Sequence, residues 1–275
     1  MTSPSAPAGR TDFHSHLVPG VDDGAREVAD SARALRSFRE EGVGQIITTP
    51  HFLGSLSLSP ERVAERLAAL DAGWEALVRV AAEDAALHGT SMLVARGAEV
   101  MLDVPEPDLG DARLRLAGGP FVLVEYHNLQ LPPNAEVAIA ALRRQGWKPV
   151  LGHPERYRDL DRSATQIARL RHAGALLQVN VGSVFGDYGR TAANHARTML
   201  AAGWADYVSS DYHCRGEPGV ARFATAFAEA GFSPQVELLT VTNPGRLLAG
   251  DDPLPVPPLE ARMARPWWAR LLFRR

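Results

Sequence analysis

Residues 11–26 read TDFHSHLVPGVDDGAR and combine a short apolar run with two histidines and three aspartates. The run TDF is typical of a short β-strand, and the polar residues after it favour a loop. In an extended segment His14 and His16 point to the same side of the chain. The stretch therefore predicts a strand that ends in a pair of imidazoles suited to binding a metal ion.

The overall composition fits one sizeable globular domain. The 275 residues carry a net charge of −3, and no apolar run approaches the roughly 20 residues that a membrane span needs. A near-neutral balance argues against nucleic acid as a partner, because binding to phosphate backbones usually requires a strongly basic face. Residues 1–10 lack the apolar core of a secretory signal, and we expect them to be disordered in a cytoplasmic protein. The sequence leaves homo-oligomerisation open.

Short β-rich segments alternate with longer amphipathic segments, as expected of βα units that build a parallel sheet. Seven segments read as strands: residues 11–13, 44–49, 91–100, 120–126, 148–152, 175–181 and 206–210. Five read as helices: residues 27–42, 60–89, 134–146, 164–174 and 191–203. This order predicts one α/β domain over residues 11–250, of a length that suits a parallel barrel. Residues 251–275 are interpreted as a proline-rich linker followed by a tail.

Potential metal ligands recur at the predicted strand ends. Six of the nine histidines follow such an end within a few residues: His14, His16, His51, His127, His153 and His213. Carboxylates occupy equivalent places, namely Asp22, Asp23, Glu99 and Asp211. In a parallel barrel all of these ends open onto one face, where active sites are built. Imidazole and carboxylate suit Mn²⁺, Fe²⁺ or Zn²⁺, and so many donors predict two or three ions.

Different roles for some of these residues stay open. One of Asp22 and Asp23 suits an N-cap of the following helix while its neighbour binds metal. Glu99 lies in an apolar context, where burial without a cation partner is costly. Three further histidines lie in or beside predicted helices and are interpreted as structural: His88, His172 and His195.

Six runs, in the order DFHSHLVPGVDDGA, IITTPH, RGAEV, LVEYH, GHPERY and SSDYH, resemble the polymerase-and-histidinol-phosphatase (PHP) superfamily. The opening run is most similar to the bacterial capsule-type tyrosine phosphatases of that superfamily, and the resemblance extends over residues 11–249. It implies a distorted seven-stranded (β/α) barrel with a trinuclear metal centre, commonly of manganese.

The resemblance also implies a ligand set for each metal. One metal is expected on His14, His16, Glu99 and Asp211. Glu99 is expected to bridge to a second metal on His153 and His127. A third metal is expected on Asp23, His51 and His213.

The reaction implied is phosphomonoester hydrolysis by a metal-bridging hydroxide, which a divalent ion makes available at neutral pH. An arginine that pairs with two phosphate oxygens would complete the site, and Arg156 in GHPERY is the first candidate. A surface salt bridge with Glu155 or Asp159 is the open alternative for Arg156. A second arginine is expected shortly after His213, where Arg215 is our candidate and Arg222 the alternative.

Three competing functions are less consistent with the sequence. A cysteine-based tyrosine phosphatase needs an arginine six residues after its cysteine, and the residue six places after Cys214 is Val220. A barrel amidohydrolase often bridges its metals through a carboxylated lysine, but Lys148 lies at the start of its predicted strand. A metal-binding regulatory protein without turnover is disfavoured, because no ligand is visibly missing.

The resemblance points to a phosphotyrosine-bearing autokinase that controls capsule or exopolysaccharide export as the substrate. Histidinol phosphate is the main small-molecule alternative, and a free nucleotide or a nucleic-acid end is a third. The tail sequence RPWWARLLFRR forms an amphipathic pattern with basic and aromatic residues, which favours weak peripheral contact with the inner face of the membrane. Docking of its aromatic residues onto the barrel or onto a neighbouring subunit is an equally open interpretation.

Overall fold

The computed structural model of the chain describes residues 9–158, 160–161 and 163–259. Its strands are β1 (Arg10–Asp12), β2 (Val43–Thr48), β3 (His51–Leu53), β4 (Leu93–Arg96), β5 (Glu99–Met101), β6 (Phe121–Glu125), β7 (Lys148–Gly152), β8 (Leu176–Asn180) and β9 (Tyr207–Ser209). Its helices are α1 (Val28–Glu40), α2 (Pro60–His88), α3 (Ala135–Arg144), α4 (Thr165–His172), α5 (Val181–Phe185), α6 (Gly189–Ala201), α7 (Val220–Glu229), α8 (Ser233–Glu237) and α9 (Asn243–Leu248). The tail at residues 260–275 and most of the predicted disordered N-terminus lie outside the described residues.

The predicted strand at residues 91–100 is divided into β4 and β5, and the predicted strand at residues 44–49, which corresponds to β2, is followed by a further short strand, β3. Pro50 has no N–H to give to a strand ladder, and it separates β2 from β3. Hydrogen bonds nevertheless cross the break, because Gly97 N donates to Thr48 O at 2.9 Å and Glu99 N donates to Pro50 O at 3.1 Å. The pair β2/β3 and the pair β4/β5 therefore each act as one bent strand.

The strands form a parallel ring of seven positions. Hydrogen-bonded neighbours follow the order β1-β2-β4 in one sheet and β3-β5-β6-β7-β8-β9 in the other, and the two bent strands join the sheets. The last gap is closed beyond the strand ends, where Asp211 N donates to His14 O and His16 N donates to Tyr212 O, both at 2.9 Å. The predicted distorted seven-stranded α/β barrel is confirmed, with loop backbone closing the gap between β9 and β1.

Apolar side chains fill the barrel beneath these strand ends. Phe13, Ile47, Leu123, Val150 and Tyr207 come from five strand positions, are fully buried and belong to one cluster. Burial of each such side chain contributes about 1.5–3 kcal/mol relative to exposure. The loops after the strands consequently rest on a rigid, apolar floor.

Residues 251–259 pack against the barrel, although the sequence suggested a linker. Val256 and Leu259 are buried in the main core, and Leu254 N donates to Asn243 Oδ1 at 2.8 Å. At the same end Lys148 pairs with Asp252 at 2.9 Å, on the N-terminal side of its strand and away from the histidines. Among the described residues, no helix combines the length and apolar character needed to cross a bilayer.

Candidate metal centre

Three groups of potential metal ligands meet at the C-terminal ends of the strands. The inner cluster consists of His14, His16, Glu99 and Asp211. The rim cluster consists of His16, Asp23, His51 and His213. The side cluster consists of His51, Glu99 and Glu125. Within each cluster the donor atoms lie within 4.8 Å of one another, so the structure brings together residues that are far apart in sequence.

The inner cluster is arranged as a cation site would be. His14 Nε2 lies 3.3 Å from Glu99 Oε2, from Asp211 Oδ1 and from His16 Nε2, and all four side chains are buried. Among the described residues, neither Glu99 Oε2 nor Asp211 Oδ1 has a partner in full hydrogen-bond geometry, and their polar neighbours are imidazole nitrogens at 3.1–3.5 Å. Buried carboxylate oxygens without partners are costly, and a divalent ion among these donors removes that cost. The residues present therefore fit the metal that the sequence implied.

Neighbouring polar groups fix the orientation of the two inner imidazoles. His14 Nδ1 donates to Gln178 Oε1 at 2.9 Å, and His16 Nδ1 donates to Asp22 Oδ2 at 2.8 Å. Asn180 links Gln178 to Asp211, because it accepts from Gln178 Nε2 and donates to Asp211 Oδ2, both at 2.8 Å. Both histidines consequently turn Nε2 toward the cluster, the arrangement that partners of metal-binding histidines typically impose.

The two aspartates of the opening loop have separate positions. Asp22 is turned inward onto His16, whereas Asp23 Oδ1 lies 3.3 Å from both His51 Nε2 and His213 Nε2. Neither of them caps the next helix, since Glu27 occupies the N-cap of α1. The structure thus places Asp23 with the potential ligands and Asp22 behind one of them.

Glu99 and His153 connect the inner and side clusters. Glu99 Oε1 accepts from His153 Nε2 at 2.7 Å, and Glu99 Oε2 lies 3.1 Å from His51 Nδ1. His153 Nε2 also lies 3.7 Å from Glu125 Oε2. Glu99 therefore occupies a bridging position between neighbouring clusters.

The structure places His127 outside the three clusters, which differs from the expectation from sequence. His127 is exposed, and its Nδ1 lies 3.1 Å from Met101 Sδ. Glu125, the last residue of β6, takes the expected place because the strand ends there and the chain turns away at Asn128, whose φ is +54°. The sequence signal that identifies Glu125 is an acid at the end of an otherwise apolar strand, as for Glu99.

The electrostatics of the centre reflect its crowded carboxylates. Burial opposes protonation of His14, but Glu99 and Asp211 outweigh it and raise the pKa of His14 to about 9. Burial and the charge of Glu99 raise the pKa of Glu125 to about 7. Despite their burial, the adjacent histidines hold the pKa of Glu99 and that of Asp211 well below the usual range. Without metal, protons on His14 and Glu125 therefore take the place of bound cations beside the buried carboxylates.

Two residues of the centre have strained backbones. His153 has φ +34° and Asp211 has φ +53°, in the left-handed region that glycine usually occupies. Such strain costs on the order of 1–3 kcal/mol and tends to cluster at functional sites. At both positions the chain turns within two residues of the end of a strand.

A cavity of about 650 Å³ lies beside Asp211 and His213, and three arginines line it. Arg156 Nη1 donates to Asp211 Oδ2 at 2.6 Å, and its guanidinium carbon stacks 4.2 Å from the ring centre of Tyr188. Arg215 is exposed and donates to Asp23 O at 3.0 Å. Arg222 stacks on Phe185, with 3.9 Å between the guanidinium carbon and the ring centre. Arg156 therefore lines the cavity beside the centre and is paired with Asp211.

The lone cysteine is close to the centre but unsuited to nucleophilic attack. Burial raises the pKa of the Cys214 thiol to about 12, and its Sγ lies 3.7 Å from His16 O. Cysteine nucleophiles act as thiolates and need a lowered pKa. The geometry thus agrees with the arginine spacing, which also argued against cysteine-based catalysis.

Comparison with known proteins identifies the family. The profile of the family described as "Capsular polysaccharide synthesis, CpsB/CapC" matches residues 10–249. The chain belongs to this family. Tyrosine-protein phosphatase YwqE of Bacillus subtilis (strain 168) is 31% identical over 205 residues, which cover 74% of the chain and 76% of that relative. Tyrosine-protein phosphatase CpsB of Streptococcus pneumoniae is 27% identical over 217 residues, which cover 74% and 82%.

Solved structures agree with the family and the fold. One chain from the crystal structures of YwqE from Bacillus subtilis and CpsB from Streptococcus pneumoniae, described as unique metal-dependent tyrosine phosphatases, matches with a TM-score of 0.70 and 26% identity, over 92% of this chain and 100% of that chain. A phosphotriesterase homology protein from Escherichia coli matches with a TM-score of 0.52 and 13% identity, over 87% and 98%. At that identity the second match shows a shared fold alone.

Proposed function

We propose that the chain is a metal-dependent phosphatase that hydrolyses phosphotyrosine with two or three divalent ions, Mn²⁺ first and Fe²⁺ or Zn²⁺ as alternatives. The observation that carries the proposal is the meeting of three donor clusters with the Arg156 guanidinium at one barrel mouth. Relatives described as tyrosine-protein phosphatases support the choice of substrate. The family description supports a role in the synthesis of capsule or another exopolysaccharide.

The proposed ligand sets combine the three clusters with His153, which belongs to none of them but contacts Glu99 at 2.7 Å and lies 3.7 Å from Glu125. We assign one ion to His14, His16, Glu99 and Asp211, and a second to Glu99, Glu125 and His153. A third ion is assigned to Asp23, His51 and His213. Glu99 is shared, which agrees with its two oxygens facing different histidines.

In the proposed reaction the metal ions supply the nucleophile, and side chains of the protein bind the substrate phosphate. Divalent ions lower the pKa of water to about 7 and so supply a hydroxide nucleophile at neutral pH. Arg156 binds the substrate phosphate as a planar fork, and the Asp211 carboxylate and the Tyr188 ring hold that fork in place. Arg215, which donates to the backbone of Asp23 at the cavity edge, is the proposed second arginine.

The proposed partner is a tyrosine autokinase that regulates polysaccharide export. The enzyme is proposed to act in the cytoplasm, with its tail in weak contact with the inner face of the membrane. Sedimentation with anionic liposomes tests the tail, using the full chain and a version that ends at Leu259, which keeps the packed segment. Equal pelleting of the two proteins removes the membrane contact from the proposal.

The activity is tested with metal-depleted protein to which Mn²⁺, Fe²⁺ or Zn²⁺ is added. We expect hydrolysis of a phosphotyrosyl peptide with added metal, and little without it. A phosphoseryl peptide and histidinol phosphate serve as competing substrates. Faster hydrolysis of histidinol phosphate would replace the proposal with a small-molecule phosphatase, and metal binding without any turnover would indicate a regulatory protein.

A further inference from the structure

A second cavity, of about 510 Å³, borders the candidate metal centre at His51. The arginine-lined cavity borders the same centre at His213, and Asp23 lines both cavities. The walls of the second cavity are mostly apolar and are formed by Val21, Leu53 and Leu56. We call this cavity the apolar recess.

Leu53 is turned toward the metal centre by the geometry of its strand. It follows His51 by two residues in β3, so the two side chains point to the same side. Leu53 is 41% exposed, and Leu58, a few residues further on, is 71% exposed. Of these two leucines only Leu53 lines the recess, where its partly exposed apolar side chain lies beside the polar metal centre and offers a contact surface.

Hydrogen bonds hold the walls of the recess in place. Arg66 on α2 donates from Nη1 to Val21 O at 3.0 Å and from Nη2 to His51 O at 2.6 Å, which ties two walls together. The turn after Leu53 is held as well, since Ser55 N donates to Asp103 Oδ1 at 2.8 Å. The recess is therefore preformed, which lowers the entropic cost of binding.

We propose that the apolar recess binds an apolar side chain within two residues of the phosphotyrosine in a peptide substrate. The inference rests on the proposed phosphatase function and names a preference within it. The phosphate of a bound phosphotyrosine lies at the far end of a long side chain, so the peptide backbone passes outside the centre. Because an extended peptide advances about 3.3–3.6 Å per residue, side chains within two residues of the phosphotyrosine can reach the recess beside His51. Continuity through Asp23 makes the recess an extension of the substrate site.

The first measurement compares phosphotyrosyl peptides that differ only near the phosphotyrosine. Leucine, serine or aspartate is placed at each of the two positions on either side, and kcat and KM are measured with Mn²⁺-loaded full-length protein. We expect leucine at one of these positions to lower KM about tenfold relative to serine, since burial of a leucine side chain supplies an effect of that size. The value of kcat should change little.

Variants then locate the preference. Leu53→Ser should reduce the leucine preference to about threefold or less, and Leu53→Met should retain it. Leu87→Ser is the matched control, because Leu87 is 77% exposed on the last turn of α2 and should leave the tenfold preference intact. A wild type without preference, or a Leu53→Ser protein with unchanged preference, would overturn the inference.

Hydrolysis of p-nitrophenyl phosphate separates phosphatase activity from peptide preference, because this substrate has no flanking residues. If the loaded wild type cleaves neither it nor any peptide, the proposed function fails and the inference fails with it. If p-nitrophenyl phosphate is cleaved and the peptide preference is absent, only the inference fails. A Leu53→Ser change that alters the oligomeric state and not the preference assigns the recess to a second copy and also overturns the inference.

Discussion

Glu99 contacts four of the other potential ligands in the candidate centre. One of its oxygens accepts from His153 at 2.7 Å, and the other lies 3.1–3.5 Å from nitrogens of His51, His14 and His16. A buried carboxylate among three or four imidazoles is stable only with protons or cations between them. The sequence indicated this role, because an acid in the apolar run VARGAEVML is costly to bury without a cation.

Glu125 and His127 provide a direct comparison of the two candidate ligands after β6. Glu125→Gln is expected to lower the affinity for the second metal by at least tenfold and to reduce phosphatase turnover, because it removes a buried charged donor. His127→Ala should leave both unchanged, because His127 faces Met101 and solvent. Metal titration of both variants against wild type measures this, and the reverse ranking would restore the assignment to His127.

Cys214 should be dispensable. Its thiol is protonated at neutral pH because burial raises its pKa to about 12, so Cys214→Ser is expected to keep phosphatase activity within about threefold of wild type. His14→Ala serves as the matched control and should lose metal and activity together. An inactive Cys214→Ser protein alongside an active His14→Ala protein would show that the mechanism is cysteine-based.

The sequence indicated the positions of metal ligands where the residue type itself suggests metal binding. It could not indicate them where the direction of the backbone after a strand decides which side chain faces the centre. His14, His16, Glu99 and Asp211 meet as the resemblance implied. The choice between Glu125 and His127 depends on where β6 ends and how the next turn runs. No local pattern encodes that turn, which places two non-glycine residues, Asn128 and Leu129, at positive φ.

Bent strands are the elements that position the outer ligands. In the register of β3 and β5, His51 pairs with Glu99, so the bend carries both residues to the barrel mouth side by side. The sequence predicted a strand at residues 91–100 without the break between β4 and β5, and it predicted a strand at residues 44–49 without the short β3 that follows it. Tertiary pairing maintains β3, a strand of only three residues, where propensity alone is too weak to predict one.

The loop between β1 and α1 is packed so closely that it tolerates no added atom at Gly24. A Cβ there would lie 2.1 Å from His16 O and 2.4 Å from His16 Cβ, so Gly24→Ala must displace the loop that carries His16. We expect at least a tenfold loss of metal affinity and a destabilisation of about 1–3 kcal/mol. Metal titration and thermal unfolding measure the two effects.

Gly245→Ala is the control for that variant. Apart from the backbone of its own helix and its chain neighbours, no atom of the described residues lies within 4 Å of a Cβ at Gly245, which is in α9 and contributes to none of the three donor clusters. Alanine is favoured over glycine inside a helix, so stability should be unchanged or slightly higher. Equal metal affinity in Gly24→Ala and wild type would show that the loop does not hold His16 in place.

The whole molecule is a barrel, and its stability depends on whether protons or metal ions neutralise the buried carboxylates at the C-terminal ends of its strands. Without metal, protons on His14 and Glu125 balance the buried carboxylates. The sequence predicted the seven-stranded ring and its one-sided chemistry. It did not predict that residues 251–259 pack against the barrel, because the sequence of a proline-rich segment does not distinguish a packed segment from a free linker. The contact is shown by the burial of Val256 and Leu259.

Metal-free protein should lose stability as the pH rises. The folded-state pKa of His14 is about 9 against 6.5 unfolded, so its contribution is complete below pH 6.5 and is lost as the pH passes about 9. Glu125, raised to about 7, acts in the same direction between its usual value and pH 7. The loss from His14 is at most about 3 kcal/mol. Thermal unfolding between pH 6 and 10 measures it.

Metal-loaded protein is the control, because bound cations replace those protons and should flatten the dependence. A metal-free protein whose melting temperature is constant or rises between pH 6.5 and 9 would contradict this arrangement of protons. Equal slopes with and without metal would show that the ions bind elsewhere.

Crystals of manganese-loaded protein, measured on both sides of the manganese absorption edge, test the central claim most directly. The account predicts two or three anomalous peaks at the barrel mouth, one of them among His14, His16, Glu99 and Asp211. An ordered structure with manganese in solution and no peak within coordination distance of these four side chains would contradict it.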